Sequence, residues 1–188
     1  MNPLVFLAKQ SVENFVEEGK VIELPKDLSE EFLKRKAGTF VTIEKNGDLR
    51  GCIGTYLPTR ENIAEEIIHN AVAAATEDYR FGPIQEKEFS FLSYTVYILS
   101  EPELVNDLKE LEPKKYGIII KTMPITRPNG ADVVFNGHFV AKTGLLLPDL
   151  EGVDTIEQQL SITCQKGGID PTQEKILIYR FTVTKYPS

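Results

Sequence analysis

Phe40-Val41-Thr42-Ile43-Glu44-Lys45-Asn46-Gly47-Asp48-Leu49-Arg50-Gly51-Cys52-Ile53-Gly54 is the stretch on which the fold turns. Its first six residues are strand-like and rich in β-branched side chains, which suit a pleated, half-buried surface. Asn46-Gly47 fits a two-residue type I′ turn, because both central positions of that turn need positive φ. The stretch therefore predicts a β-hairpin in which Phe40–Lys45 returns as Leu49–Gly54. Alternation of side chains aims Leu49 and Ile53 at the core and Arg50, Cys52 and Gly54 at the opposite side.

Working outward, Asn2-Pro3 is a helix start, an N-cap followed by proline at the first helical position. Leu4, Ala8, Val12, Phe15 and Val16 recur at helical spacing, and Gly19 is placed to stop the helix. A short helix is expected around Ser29–Lys36, closed by Gly38. Thr59 is the expected cap of a long helix running to about Glu77. One stripe of that helix is Ile63, Ile67, Ala71 and Ala74, and Ala64, Ile68, Val72 and Ala75 lie beside it. Phe91–Leu99 reads as a strand with Leu92, Tyr94, Val96 and Ile98 on one face. Glu101–Pro113 is acidic and turn-prone, with at most one helical turn. Gly117–Ile120 is a short buried strand, and Met123–Gly130 is a loop. Ala131–Phe135 and His138–Thr143 suggest a hairpin about Asn136-Gly137. Asp154-Thr155-Ile156-Glu157 opens a helix that ends at Gly167-Gly168. Lys175–Thr184 carries apolar residues on both faces, the pattern of a central strand. Hairpins outnumber βαβ units, so the fold class is α+β, with a mixed to mainly antiparallel sheet flanked by helices.

Composition bounds the function. The chain has 188 residues, the size of one domain, with 41 % hydrophobic and 26 % charged residues, which excludes disorder. Its net charge of −7 argues against a surface built to hold nucleic-acid backbone. Lys34-Arg35-Lys36 reads as a solvated helix end. Two cysteines and two histidines, with no CxxC or HxxxH, leave no four-ligand metal site. The thiols suit a reducing compartment, and no signal core or membrane-length apolar run is present, so a cytoplasmic protein is expected. No GxGxxG or GxxxxGK[ST] occurs, so neither route to a nucleotide is supported, and no cofactor is expected.

The chemistry that the sequence could carry lies in Arg50-Gly51-Cys52-Ile53-Gly54. A guanidinium two residues from a thiol on one strand face would favour thiolate, which makes Cys52 a candidate nucleophile. Backbone beside Gly51 and Gly54 could offer N–H groups to an anion. Set against this, cysteine is a common core residue, and glycines inside strands mark bulges or close backbone approach. Arg80, beside Phe81 at a helix end, has two open readings: capping helix carbonyls, or holding an anion opposite Arg50. His69 falls off both apolar stripes and is expected to be solvated, as is His138. Cys164, spaced with Ile156 and Leu160, reads as core, and Lys166 as a helix-end cation.

Leu49-Arg50-Gly51-Cys52-Ile53-Gly54 resembles the LRGCIG signature of the AMMECR domain family. Asp78-Tyr79-Arg80-Phe81-Gly82-Pro83 is similar to that family's D-x-R-F-x-P segment. Gly144-Leu145-Leu146-Leu147-Pro148 and Cys164-Gln165-Lys166-Gly167-Gly168 continue the match in order. The resemblance implies one AMMECR-like domain over residues 1–188, with a larger and a smaller lobe around a cleft near the signature. It also implies similarity to protein A of the AmmeMemoRadiSam system, and so Memo-like and radical-SAM proteins as partners. Tyr116 departs from relatives that carry His or Asp there, so no general base is carried over. Two functions follow as expectations. One is an accessory or binding component that uses Arg50, Gly51, Gly54, Arg80 and Phe81 toward a partner protein or a small anion. The other is an enzyme with Cys52 as a nucleophile activated by Arg50.

Overall fold

Asn2 begins the first helix by accepting a hydrogen bond from the Leu4 backbone N–H on its side-chain oxygen, at 2.9 Å. Helix α1 (Pro3–Glu18) ends at Gly19, whose φ of 71° is the left-handed conformation that glycine tolerates best. The computed structural model describes residues 1–25, 28–123 and 141–188. The expected hairpin about Asn136-Gly137, the loop from 124 to 130, and His138 lie outside the described residues. The rest of the chain forms two compact units, one of Met1–Ser100 with Thr184–Ser188, the other of Glu101–Val183.

In the first unit, α2 (Glu30–Lys34) follows its cap Ser29, and the hairpin strands are β1 (Thr39–Lys45) and β2 (Asp48–Thr55). Asn46 and Gly47 take φ of 53° and 89°, as the turn requires. Helix α3 (Ile63–Thr76) and strand β3 (Leu92–Leu99) follow, with a 3₁₀ stretch at Glu86–Phe91 between them, and β8 (Val183–Pro187) completes a sheet of order β2-β1-β3-β8. The β1–β2 and β1–β3 pairs are antiparallel. Helix α3 lies over β1 and β2, and α1 packs on α3 and β3. Between these helices and the sheet sit Leu4, Val12, Val41, Ile43, Ile67 and Val96, all within 1 % of complete burial. Each large aliphatic side chain buried this way contributes about 1.5–3 kcal/mol.

Four expectations are corrected here. Helix α2 stops at Lys34, with Arg35 already extended; Gly38 instead lies so close to the Thr55 carbonyl that a Cβ would come within 2.5 Å of it. Helix α3 is capped by Asn62, whose side chain accepts from Glu65 N, because the Thr59 hydroxyl is engaged by Glu66. Leu49 is 43 % exposed rather than core. The ladder slips between Ile43 and Glu44, so that Leu49 pairs with Glu44 and Gly51 with Ile43, leaving Arg50 as the extra residue of a β-bulge. The bulge reverses the alternation on its near side, and Leu49 turns away from the core. His69 is half-buried rather than solvated, and burial, joined by the charge of Arg60, lowers its pKa.

In the second unit, β4 (Glu103–Leu104), β5 (Gly117–Thr122), β6 (Thr143–Leu146) and β7 (Ile176–Phe181) form a sheet of order β4-β7-β5-β6. The β4–β7, β5–β6 and β5–β7 pairs are antiparallel. Helix α4 (Ile156–Gly167) opens on a Thr155–Gln158 capping box and closes on Gly168 in the left-handed region. It packs on β5 and β6. Gly144 permits that approach, since a Cβ there would lie 2.1 Å from the Thr163 carbonyl oxygen. Ile118, Ile120, Leu146 and Cys164 form the core of this unit. The segment Glu101–Pro113, expected as turns, includes the two-residue strand β4 as well as a 3₁₀ turn at Leu108–Glu110. The expected single strand Lys175–Thr184 breaks at Thr182 into β7, between β4 and β5, and β8, beside β3 in the other sheet.

Candidate functional site

Strand β2 is the outer strand of its sheet, so the backbone N–H and C=O of Cys52 that do not face β1 need other partners. Asp78 and Arg80, just past the end of α3, supply both. The Asp78 carboxylate accepts from Cys52 N at 2.9 Å, from Arg80 N at 3.2 Å, and from Arg80 Nε and Nη2 at 2.9 and 2.6 Å. Arg80 Nη2 in turn donates to the Cys52 carbonyl oxygen at 3.3 Å. Asp78 is only 3 % exposed, and its pKa is held down at about 2, chiefly by the hydrogen bonds from Arg80. The Arg80 guanidinium also lies over the Phe81 ring, 5.4 Å from its centre.

Arg50 projects from the bulge to a second carboxylate. Its Nε and Nη2 donate to the two oxygens of Glu88, each at 3.0 Å, in a bidentate pair. Its Nη1 and Nη2 also donate to the carbonyls of Gly82 and Pro83, at 2.8 and 3.2 Å. Glu88 is buried, receives Lys45 Nζ at 3.0 Å and Gln85 N at 3.0 Å, and has its pKa lowered to about 2, first by Arg50. Glu88 was not among the residues singled out from the sequence. Its one local signal is the capping box that it closes with Gln85.

The turn from Asp78 to Ile84 is thus tied at nearly every residue: Phe81 N donates to Asp78 O, and Ile84 N to Ala75 O, each at 2.9 Å. Tyr79 stands out from it, 94 % exposed.

The two signature glycines serve packing. A Cβ on Gly51 would sit 2.1 Å from the Ala74 carbonyl oxygen of α3, and one on Gly54 would sit 2.2 Å from Cγ of Phe40, whose ring covers it. Cys52 is half-buried, and its Sγ accepts from Thr42 Oγ1 at 3.3 Å. The bonds bring Arg50, Cys52, Arg80 and Phe81 together around one turn. Gly51 faces α3 instead. Cys164 is buried in α4, where burial pushes its thiol pKa up, and Lys166 lies in the last turn of that helix. Tyr116 precedes β5, its carbonyl accepting from Gln159 Nε2 at 2.7 Å and its ring lying under Arg180.

A third buried carboxylate, Glu66, which like Glu88 was not singled out from the sequence, fastens the segment after β2. Burial works against the charge of Glu66. Hydrogen bonds from Thr55 Oγ1, Thr59 N and Oγ1, and Arg60 N, at 2.6–2.8 Å, outweigh that and lower its pKa. Among the described residues no group of three or more His, Cys, Asp or Glu could hold a metal ion, and no helix is long and apolar enough to cross a membrane.

Two antiparallel sheets with helices, and an outer strand clasped by two carboxylate–arginine pairs at an LRGCIG signature, define an α+β protein of a specific kind. The AMMECR1 family model matches residues 5–186, and the chain belongs to that family. It is 49 % identical over 186 residues to a Thermotoga maritima protein, covering 98 % of this chain and 97 % of that one. A longer Clostridium acetobutylicum protein is 41 % identical over 186 residues, a match that covers 98 % of this chain and 36 % of that one. The crystal structure of the uncharacterized protein PH0010 from Pyrococcus horikoshii superposes with a TM-score of 0.82 at 30 % identity. That match covers 98 % of this chain and 89 % of that one.

Proposed function

We propose that the chain is an accessory binding component that meets a partner protein through the LRGCIG strand and the Asp78–Pro83 turn beside it. The observation that carries this reading is the display of Tyr79 on a tied turn: Asp78 accepts from Cys52 N and Arg80, Phe81 N donates to the Asp78 carbonyl and Arg50 to that of Gly82, while the Tyr79 side chain stands in solvent. A pre-ordered turn loses little further freedom on binding, and aromatic and arginine side chains are favoured anchors. Arg80 and Phe81, stacked on each other, follow that tyrosine in the turn.

The alternative, Cys52 as a nucleophile activated by Arg50, has less support. The Arg50 guanidinium bonds to Glu88, Gly82 and Pro83, and the hydrogen bond at the thiol comes from a threonine hydroxyl, which is a poor general base. By family resemblance the partners are a Memo-like and a radical-SAM protein. The test is capture of those two proteins, from the same organism, on the immobilised chain. Tyr79→Ala, a surface change, should abolish capture, and Cys52→Ser should leave it intact. Failure to capture either protein, or capture indifferent to Tyr79, would remove this reading; loss with Cys52→Ser would return attention to the thiol.

A further inference from the structure

The turn that displays Tyr79 carries its charges in matched pairs. The stretch from Glu77 to Glu88, with its ion partners Lys45 and Arg50, holds four acidic and four basic side chains, although the whole chain has a net charge of −7. The two carboxylates at its centre, Asp78 and Glu88, are buried, and each already accepts from a guanidinium. Arg50, its side chain 16 % exposed, turns its N–H groups to Glu88, Gly82 and Pro83. Arg80 is more open, at 43 %, but its Nε and Nη2 are held by Asp78 and its plane lies over the Phe81 ring. What the turn offers to a second molecule is therefore the Tyr79 ring.

We infer, on the reading that this turn is the partner surface, that the partner meets it with an uncharged, apolar pocket for the Tyr79 ring and not with a face of opposite charge. An anionic group would have to draw Arg50 or Arg80 away from a buried carboxylate, leaving that carboxylate without its counterion, which is strongly unfavourable. A cationic group would find Asp78 and Glu88 beneath the surface and already engaged. The tyrosine carries no such penalty. Covering its ring removes apolar surface from water, and its hydroxyl needs one neutral acceptor. The Arg80 guanidinium, stacked on Phe81 and weakly hydrated, suits the rim of such a contact. Charges matched within the chain leave little attraction to be made across the interface, so salt, which screens such attraction, should scarcely alter the affinity.

The probe is a library of random peptides displayed on phage and panned on the immobilised full chain, with binders to the Tyr79→Ala chain removed. The enriched sequences should be apolar and uncharged. A synthetic peptide of that consensus should change its Kd by less than about threefold between about 50 and about 500 mM sodium chloride, where a contact built on ion pairs would weaken by about tenfold or more. Tyr79→Phe, which keeps the ring, should bind it within about fivefold of the native chain, and Tyr79→Ala at least about tenfold more weakly. No enrichment, an acidic or basic consensus, or a steep salt dependence would overturn the inference. So would stabilisation of the native chain by sulfate, at constant ionic strength, that Arg50→Gln or Arg80→Gln abolishes, since an arginine would then be open to an anion. The Memo-like and radical-SAM proteins are passed over the same surface at both salt concentrations. Uncharged peptides that bind where neither protein does would keep this inference and remove those partners. Capture of either protein that collapses in high salt would keep the partners and remove the inference.

Discussion

Replacing Gly51 by alanine adds one methyl group in the place where strand β2 passes under α3. The new Cβ would stand 2.1 Å from the Ala74 carbonyl oxygen and 3.1 Å from its carbon. An uncrowded contact needs a little over 3 Å, so strand and helix must separate by roughly 1 Å. Both sides of the clash are backbone within regular elements, and no rotamer change relieves it. The separation also loosens Ile43, which pairs with Gly51, and the α3 residues Ile67 and Ala71 in the same core. Overpacking of this kind costs about 1–3 kcal/mol, and an unyielding site belongs at the upper end. For a chain of this size, 3 kcal/mol corresponds to a Tm lower by roughly 6–12 °C. The assay is thermal and urea unfolding followed by circular dichroism, with amide exchange to localise the loss to β2 and α3. Adding Ala74→Gly should bring no rescue, because the obstacle is a carbonyl oxygen, and glycine in a helix costs about 1 kcal/mol more. The substitution keeps every backbone N–H of the signature. A Gly51→Ala protein within about 0.5 kcal/mol of the native one would therefore refute the packing account of this glycine and favour its reading as a ligand-facing position.

Three further outcomes are expected. Gly47→Val places a β-branched residue at a φ of 89° with open space around it, so the cost is backbone strain alone, about 1–2 kcal/mol; amide exchange should quicken in Arg50–Gly54, and an unchanged Tm would contradict the turn assignment. Asp78 and Glu88 have folded pKa values lowered to about 2, so their contribution is complete above their unfolded values of 3.8 and 4.5 and is lost as pH falls toward 2. Allowing for solvent screening, each is expected to contribute about 1–2 kcal/mol. Urea titrations across that range should show the loss, Asp78→Asn and Glu88→Gln should flatten it, and a native profile already flat below pH 5 would refute the assignment. Iodoacetamide should label half-buried Cys52 in the native protein and Cys164, 6 % exposed with its thiol pKa raised by burial, only on unfolding; peptide mass spectrometry reads both, and native-state labelling of Cys164 ahead of Cys52 would reverse their assigned environments.

Much of the architecture was legible wherever a local rule is strong. Asn2-Pro3 with Gly19, Asn46-Gly47, and Thr155 with Gly168 each set an element boundary through backbone geometry that few other residues supply. Reading failed where a distant partner intervenes. Thr59 looked like a cap but is drawn to Glu66, and Leu49 looked inward until a bulge at Arg50 reversed its face. The run Lys175–Thr184 has no proline or glycine to mark its break, and its two halves join different sheets. In the site, Arg50, Cys52, Arg80 and Phe81 could be named because they stand in compact motifs. Glu88, the ion partner of Arg50, lies 38 positions away on a short 3₁₀ stretch, and nothing nearby in sequence announces the pairing.

The Asp78–Arg80 clasp on Cys52 has a consequence for the protein in crowded solution. An outer strand whose polar groups face water is a template on which a strand of another molecule can add, the first step toward runaway assembly. Here one residue of that template is already occupied by a carboxylate below and a guanidinium above, which imitate a neighbouring strand one residue long. A foreign strand would have to displace an ion pair held at 2.6 Å before it could register on Cys52. The same side chains that give the motif its conspicuous charge therefore act as a stopper at the seam of the sheet, keeping each molecule's β-structure to itself.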